Sequence, residues 1–301
     1  MYILNPVPHK TIWGGNRLSG FIPGDISGIG HLYMVNGHDE MSNEILNGKW
    51  KGKTLKEIFP DKKYEWNMEE YSEFPLTVAL VDAKENLSIQ VHPDDITAEC
   101  LEHQKLGKTE SWIFLDAPQR GWIYAGCQCN AKQEIEEAIS RKQMETITSH
   151  FKIEKDQYVC IEAGTLHAMT EGSFVYEVEY GSDFTYRFYD YDRTDERGKK
   201  RELHIQKATA SINPNVAPYA RNVKDKVWIQ EEDYEICRET GLDRYCNDSE
   251  VAECLSVIEG EGQCEGCKIT GGMSIILSPG EVLENIRLKT AFVARIRKTD
   301  V

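Results

Sequence analysis

The sequence predicts a mainly β protein of the sandwich or barrel type with few helices. Short runs of β-branched and aromatic residues recur along the chain, separated by Gly, Asp and Asn, as is typical of strands joined by turns. No repeat of fixed signature and no low-complexity tract is visible, which disfavours solenoids and propellers. At 301 residues, with 40% hydrophobic and 28% charged residues, the composition excludes disordered chains, collagens and coiled coils.

The first two thirds of the chain contain six predicted strands. They are residues 74–81, 87–91, 112–115, 158–161, 174–180 and 185–189. Their spacing, with turn residues between them, is typical of a sandwich or barrel.

Two helices are predicted between these strands. In residues 131–149, Ile135, Ala138 and Ile147 fall near one face among Glu, Lys and Gln. The other helix follows Pro93, with Asp94 or Asp95 as its N-cap.

A second, smaller β domain is predicted at the C-terminal end. Residues 192–201 are a dense run of charges, which we interpret as a solvated loop. Strand-like runs then restart at 227–229, 254–258, 274–277 and 291–296. Because single cores usually stop growing near 250–300 residues, we divide the chain into a catalytic domain with helical insertions, residues 1–222, and a C-terminal β domain, residues 223–301.

The net charge and the cysteine content limit the possible binding partners and the cellular compartment of the protein. The formal net charge of −15 argues against nucleic acid or an anionic membrane as partners, so an anionic ligand would need a local basic cluster. No long apolar segment or signal-peptide pattern is visible, and we expect a cytoplasmic protein. Nine scattered cysteines predict reduced thiols, and Cys264 and Cys267 lack the second pair that a zinc site needs.

Residues 87–93 contain the first chemical signal. Side chains alternate between the two faces of a strand, so Ser88, Gln90 and His92 share one face, while Leu87, Ile89 and Val91 are predicted to share the other. A solvent-facing strand would explain this row equally well.

The following strands add further donors. Lys108 and Glu110 share a strand face, and a Gly-containing turn places His167 before another strand. Two imidazoles, a carboxylate and an amide oxygen, from His92, His167, Glu110 and Gln90, suit a borderline divalent ion such as zinc.

One arginine is a candidate for binding an anion. Arg187 shares a strand face with Thr185 and Tyr189, and the alternative is an ordinary surface ion pair with Asp183 or Asp190. No phosphate-binding glycine loop and no nucleophile elbow is present.

Several segments together resemble a known family, the class I mannose-6-phosphate isomerases in their short bacterial form, which are zinc-dependent cupins. The matching segments are 11–18, 87–95, 107–112, 163–168, 182–193 and 201–208. They occur in order over residues 10–210, two thirds of the chain.

The resemblance implies a cupin double-stranded β-helix, or jelly-roll, catalytic domain followed by a degenerate cupin-like C-terminal domain. It also implies one Zn²⁺ per chain and a role for each of several residues in the site. These are metal ligation by Gln90, His92, Glu110 and His167, catalysis by Arg187 and Lys108, and substrate binding by Ser88, Lys108 and Trp13.

The implied activity is interconversion of mannose 6-phosphate and fructose 6-phosphate through an enediol or enediolate. Lys108, a metal-bound hydroxide and Glu177 are the candidate proton carriers. The implied partner is a small phosphosugar, with no nucleic acid or membrane, and the protein would be a monomer or homodimer.

Two alternative functions remain open. Residues 31–34 read His-Leu-Tyr-Met where the family has Glu-Ser-Trp-Glu, which suggests an isomerase or epimerase of a different phosphosugar. The other alternative is a non-catalytic sugar-binding cupin.

Overall fold

The computed structural model describes residues 1–24, 26–129, 132–141 and 143–298, and these form three main antiparallel sheets with a few short helices. The prediction of a mainly β protein with few helices is therefore confirmed. A further two-stranded sheet completes the strand pairing of the described ranges.

The strands alternate with short turns along most of the chain. In chain order they are β1 (Tyr2–Leu4), β2 (Val7–Gly15), β3 (Ile29–Val35), β4 (Leu76–Asp82), β5 (Ile89–Val91), β6 (Lys108–Asp116), β7 (Trp122–Cys127), β8 (Thr148–Lys152), β9 (Gln157–Ile161), β10 (His167–Ala168), β11 (Phe174–Gly181), β12 (Tyr186–Tyr189), β13 (Tyr219–Asn222), β14 (Trp228–Gln230), β15 (Tyr234–Leu242), β16 (Tyr245–Cys246), β17 (Glu253–Cys264), β18 (Cys267–Thr270), β19 (Ser274–Leu277), β20 (Val282–Leu283) and β21 (Ile286–Ile296).

The helices are short and lie between strands. They are α1 (Leu55–Lys62), α2 (Asp95–Glu102), α3 (Lys132–Ser140), α4 (Met144–Ile147) and α5 (Ile205–Ser211). None of the described helices has the length and apolar character needed to cross a bilayer.

Two facing sheets build the part of the molecule that holds the site. The large sheet has the order β13-β9-β6-β11-β4-β3-β2, and the small sheet has the order β12-β5-β10-β7-β8. Val81, Trp112 and Val159 of the large sheet pack against Ile123 and Ala125 of the small sheet. This apolar layer fills one end of the space between the sheets.

The outer faces of both sheets are also covered. Helices α3, α4 and α5 pack on the small sheet, where Ile135 and Met144 join the cluster around Phe188. The large sheet packs on a third sheet, β1-β19-β17-β21-β15-β14, and the rings of Tyr176 and Phe292 stack with centroids 4.4 Å apart. Both faces of the large sheet are therefore buried.

The first strand of the chain lies in the C-terminal sheet. β1 pairs with β19 in the register Leu4↔Ser274, so both ends of the chain contribute to one sheet. The division into residues 1–222 and 223–301 stays a prediction.

One predicted helix is longer than the observed one. The pattern over 131–149 forms α3 and α4, but its last two residues, 148 and 149, begin β8, and residues 131 and 142 lie outside the described residues. β8 pairs with β7, and His150 stacks on Trp122 with ring centroids 3.8 Å apart. Pairing to a neighbouring strand outweighs the local helical preference here. The helix after Pro93 is confirmed as α2, with Asp94 as its N-cap.

All nine cysteines are free thiols. Cys264 and Cys267 face each other across the β17–β18 hairpin. Neither belongs to a cluster of potential metal ligands in the described ranges.

Candidate metal centre and substrate cavity

A cavity of about 570 Å³ lies between the two facing sheets, beyond the apolar layer. Strands β2, β3, β5, β6, β11 and β12 contribute to its wall, together with the segment leading into α5. Its lining is polar. Glu110, Glu177 and Glu179 surround Lys108, and the part that we call the basic end contains Arg187, Arg201, His204 and Lys207 together with Glu102. Such a cavity is the natural place to look for a binding site.

Strand β5 presents its polar side chains to this cavity. Gln90 and Ser88 line it, while Ile89 and Val91 point outward into the cluster beneath the helices. The predicted alternation holds from residue 88 onward. Leu87 is an exception, because it precedes β5 and lies on the cavity side.

Three buried side chains meet at the closed end of the cavity. The Nε2 atom of His92 lies 3.0 Å from Oε2 of Glu110, and the Nε2 atom of His167 lies 3.0 Å from Oε1 of the same carboxylate. Gln90 completes the group, with its Nε2 atom 3.4 Å from Nε2 of His167. Each of the three side chains His92, Glu110 and His167 is at most 2% exposed.

The outer nitrogens of both imidazoles fix the tautomers. Nδ1 of His92 lies 2.7 Å from the carbonyl oxygen of Phe184, and Nδ1 of His167 lies 2.8 Å from that of Thr165. Because a carbonyl only accepts, each Nδ1 must carry a proton, and in the neutral ring the Nε2 lone pair then points at the Glu110 carboxylate. Burial lowers the pKa of His92 to about 4, which keeps that ring neutral.

This arrangement places acceptor against acceptor in the interior of the protein. Two lone pairs facing one carboxylate repel each other unless a cation lies between them. The ligand atoms of His92, Glu110 and His167 lie within 4.8 Å of one another. The cluster is therefore built to bind a metal ion.

A buried lysine lies among carboxylates next to this cluster. Nζ of Lys108 is 2.6 Å from Oε1 of Glu179 and 3.4 Å from Oε2 of Glu110. Burial opposes its charge, but Glu179, Glu110 and Glu177 outweigh that effect and raise the pKa of Lys108 above its usual range. The lysine is thus firmly protonated.

The carboxylates around Lys108 differ in their protonation. Burial raises the pKa of Glu177 well above its ordinary value, and repulsion from Glu179 and Glu110 adds to the shift. Glu110 is buried as well, yet its interactions with His92, Lys108 and His167 hold its pKa well below the usual range. Trp112 Nε1 donates to Oε1 of Glu177 at 2.9 Å, while Oε2 of Glu177 has no hydrogen-bond partner.

An aromatic wall faces these acids. The His31 ring lies parallel to Tyr33 with centroids 5.4 Å apart, and Trp13 meets its edge at 5.1 Å. Nε2 of His31 is 3.7 Å from Oε2 of Glu177, and burial lowers the pKa of His31 to about 3. In the divergent segment 31–34, His31 and Tyr33 line the cavity, whereas Leu32 belongs to the core.

Arg187 marks the beginning of the basic end. It lies opposite Gln90 in the β12–β5 register, and directly opposed residues project from the same face of a sheet. Its Nε atom is buried and has no hydrogen-bond partner.

The structure brings the predicted site residues together in one place. Seven line the cavity, and His92 lies against Glu110 behind it; the seven are Trp13, Ser88, Gln90, Lys108, Glu110, His167 and Arg187. Trp13 is only 3% exposed and forms part of the wall.

Several polar residues that line the same cavity received no role in the sequence analysis, among them Glu179, Arg201, His204 and Lys207. The signal for Glu179 was present, because it follows Glu177 by two residues in a predicted strand. The other three lie in the segment 201–208, which resembles the family but received no role.

Two facing antiparallel sheets that enclose a buried His-Glu-His cluster define a metal-binding protein of the cupin type. Residues 1–109 match the family described as phosphomannose isomerase type I, catalytic domain. The chain is 34% identical over 221 residues to mannose-6-phosphate isomerase ManA of Bacillus subtilis, covering 72% of this chain and 70% of that one. The chain belongs to the mannose-6-phosphate isomerase family.

Solved structures agree with this relationship. The crystal structure of mannose 6-phosphate isomerase from Bacillus subtilis superposes with a TM-score of 0.84 at 31% identity, covering 98% of this chain and 99% of that chain. A zinc-bound mannose 6-phosphate isomerase superposes with a TM-score of 0.64, covering 99% of both chains. Its 13% identity shows only that the fold is shared.

Proposed function

We propose that the protein is a metal-dependent aldose–ketose isomerase that interconverts mannose 6-phosphate and fructose 6-phosphate. The observation that carries this proposal is the pair of Nε2 lone pairs facing the Glu110 carboxylate at the end of a polar cavity. The choice of mannose 6-phosphate as the substrate rests on the names of the relatives.

The donor set fits a single zinc ion per chain, held by Gln90, His92, Glu110 and His167. Two imidazole nitrogens and oxygen ligands are typical of zinc, and both imidazoles have the carbonyl partners that such ligands usually have. Ser88 Oγ lies 3.1 Å from the Gln90 amide oxygen. A half-turn of that amide would point its oxygen at the metal and let its Nε2 donate to Ser88.

Bound zinc supplies Lewis acidity, which stabilises negative charge on the sugar oxygens by several kcal/mol. Arg187 lies beside Gln90 and contributes a fixed positive charge to the same region. The enediolate that forms after loss of the C2 proton carries its charge on oxygen, and this is where a preorganised cation acts. Lys108 serves as a second fixed cation and donor.

The isomerisation also needs a group that takes the proton from C2 and returns it to C1. A permanently protonated lysine cannot accept a proton, and the environment of Lys108 keeps it charged. Glu177 is buried in the cavity wall with a raised pKa, which makes its carboxylate a stronger base than an exposed one. We assign the proton transfer to Glu177 and the stabilisation of charge to Lys108.

One observation favours the alternative of a different phosphosugar. His31 and Tyr33 face the cavity at positions where the family carries Glu and Trp. A neutral imidazole can donate to a sugar hydroxyl, whereas a carboxylate only accepts. This difference bears on which hydroxyl configuration the cavity prefers.

The proposal is tested by incubating purified protein with mannose 6-phosphate, with and without a chelator and added zinc, and measuring fructose 6-phosphate. We expect turnover that the chelator abolishes and zinc restores. Arg187→Ala is the matched variant, because it should lose turnover at unchanged zinc content.

Fully metallated protein without turnover would refute the assigned reaction. Turnover of another sugar phosphate would then establish the first alternative. Tight sugar binding without proton exchange at C2 in deuterated water would establish a non-catalytic sugar-binding protein.

A further inference from the structure

We infer that Arg201 and His204, next to Arg187, bind the phosphate group of the substrate, and that Asp190 positions Arg201 for this role. The identity of the sugar rests on the proposed function. The anion site itself rests on the charges and donors at this end of the cavity.

Two guanidinium groups line the basic end, where the carboxylate of Glu102 is already paired with Lys207. Arg187 makes no ion pair within the described ranges, and its Nε atom is buried without a partner. Burial lowers the pKa of Arg187, and the nearby charge of Arg201 adds to that shift. Asp190 and Glu202 act on Arg187 only from beyond ion-pair distance. A bound anion would relieve the repulsion between the two arginines.

His204 supplies a third donor. The backbone N–H of Arg187 donates to Nδ1 of His204 at 3.3 Å, so Nδ1 is an acceptor. In the neutral ring the proton then lies on Nε2, which is left as a donor. Burial and the charge of Arg187 lower the pKa of His204, which favours this neutral form.

Asp190 holds Arg201 in place from the side away from the cavity. Its buried carboxylate accepts from Nε of Arg201 at 2.8 Å and from Nη2 at 2.6 Å. The remaining nitrogen, Nη1, takes no part in these bonds. The same carboxylate also accepts from Arg193 at 2.6 Å, so one negative charge is shared by two arginines.

The backbone after Asp190 is built to keep this geometry. Tyr191 and Asp192 both adopt the left-handed region, with φ values of 56° and 53°. For residues other than glycine this conformation costs free energy and persists only where surrounding contacts impose it. An antiparallel bridge between Thr194 and Lys200 follows this turn and brings the chain back to Arg201.

The other end of the cavity is a poor place for a phosphate. The resemblance placed Lys108 and Ser88 in the phosphosugar site, but Lys108 lies among Glu110, Glu177 and Glu179. A phosphate dianion there would face three carboxylates across one ammonium group. Ser88 is already bonded to Gln90. We therefore place the sugar carbons that react at this end and the phosphate at the arginine end.

The test compares Arg201→Ala with Lys200→Ala in the metallated protein. Lys200 precedes Arg201 and is exposed, where it pairs with Asp192, so its removal changes net charge equally without touching the cavity. The measurements are KM and kcat for mannose 6-phosphate, and the dissociation constant of inorganic phosphate by calorimetry.

We expect Arg201→Ala to raise the KM and the phosphate dissociation constant about 10- to 100-fold, the loss typical of one charge-assisted contact. The kcat should change far less, because the reacting carbons lie at the other end. Arg201→Lys should restore part of the affinity, and Lys200→Ala should leave both constants unchanged. Asp190→Asn should raise KM more than it lowers kcat, as expected of a positioning residue.

Phosphate affinity that is unchanged in Arg201→Ala would overturn the inference, whatever the enzyme activity. If phosphate binds through Arg201 but mannose 6-phosphate is not isomerised, the anion site stands and the proposed function fails.

Discussion

At the residue scale, the centre depends on how Glu110 is placed between the imidazoles of His92 and His167. Each imidazole is oriented by a backbone carbonyl, so neither can turn its N–H toward the carboxylate without losing that bond. Without a cation this geometry is costly, and with one it needs no rearrangement. The energetic cost of folding the apo site is thus part of the binding free energy of the metal.

Glu177 should destabilise the metal-free protein at neutral and alkaline pH. The folded protein binds its proton more tightly than the unfolded chain does, so stability falls as pH rises above the ordinary value of about 4.5. Glu177→Gln keeps an oxygen for Trp112 and removes the buried charge. We expect it to stabilise the protein at pH 8 by about 1.4 kcal/mol for each unit of pKa shift.

This gain should shrink toward zero near pH 4, where the carboxyl is protonated in both states. Urea unfolding in the presence of a chelator measures it, with the exposed Glu69→Gln as control. Equal stability of variant and wild type at pH 8 would contradict the raised pKa.

The candidate ligands could be predicted from the sequence because their signals are local. Gln90 and His92 alternate within one strand, and Glu110 repeats the pattern in the next. Arg201 could not be assigned in this way. It lies within a run of charges, and only the turn at Asp190 shows that it points inward.

At the element scale, the beginning of β6 is held against the end of β11. Lys108 pairs with Gly181 in the register of these strands. Gly181 has φ +100°, and a Cβ atom there would lie 2.2 Å from the backbone oxygen of Gly107. The strand that carries Lys108 and Glu110 therefore requires glycine at the adjoining position.

Gly181→Ala should lower stability by more than the 1–2 kcal/mol that the left-handed region alone costs another residue. It should also weaken zinc binding, because β6 must shift. Gly121→Ala is the control, since Gly121 has φ +68° but open space around its Cβ position. Thermal unfolding and zinc content would be measured for both, and equal losses would show that the close approach to Gly107 is unimportant.

The elements with strong β patterns were the ones that could be predicted. The run 274–277 coincides with β19, and 174–180 falls within β11. β8 was missed because its first two residues continue a helical pattern. Only pairing with β7 makes this segment a strand. Such pairing joins distant segments and leaves no local signal.

At the scale of the whole molecule, the two predicted domains share one core. Tyr176 of the large sheet stacks on Phe292 of the C-terminal sheet, and both rings are fully buried. The C-terminal region covers a face of the large sheet that would otherwise expose an extended apolar surface. The oligomeric state, monomer or homodimer, stays a prediction, as does the cytoplasmic location.

A fragment of residues 1–222 should fail to fold on its own. It would expose the apolar side of the large sheet and leave β1 without its partner β19. We expect an aggregating or molten fragment with little bound zinc, as judged by near-ultraviolet circular dichroism and metal analysis. Supplying residues 223–301 as a separate chain should restore the signal. A soluble, cooperatively unfolding fragment would instead show that the two regions are independent domains.

The metal ligands come from strands that are far apart along the chain, and this decides when the centre can form. Gln90 and His167 are 77 residues apart in sequence, and β10 fits between β5 and β7 in the small sheet. Closing such a long loop costs conformational entropy. Folds dominated by pairing between distant strands therefore take milliseconds to seconds to form. During synthesis, at roughly 5–20 residues per second, His92 emerges seconds before His167 exists. The complete set of candidate ligands therefore exists only after both segments have been made and the small sheet has paired, so the site is completed late in folding.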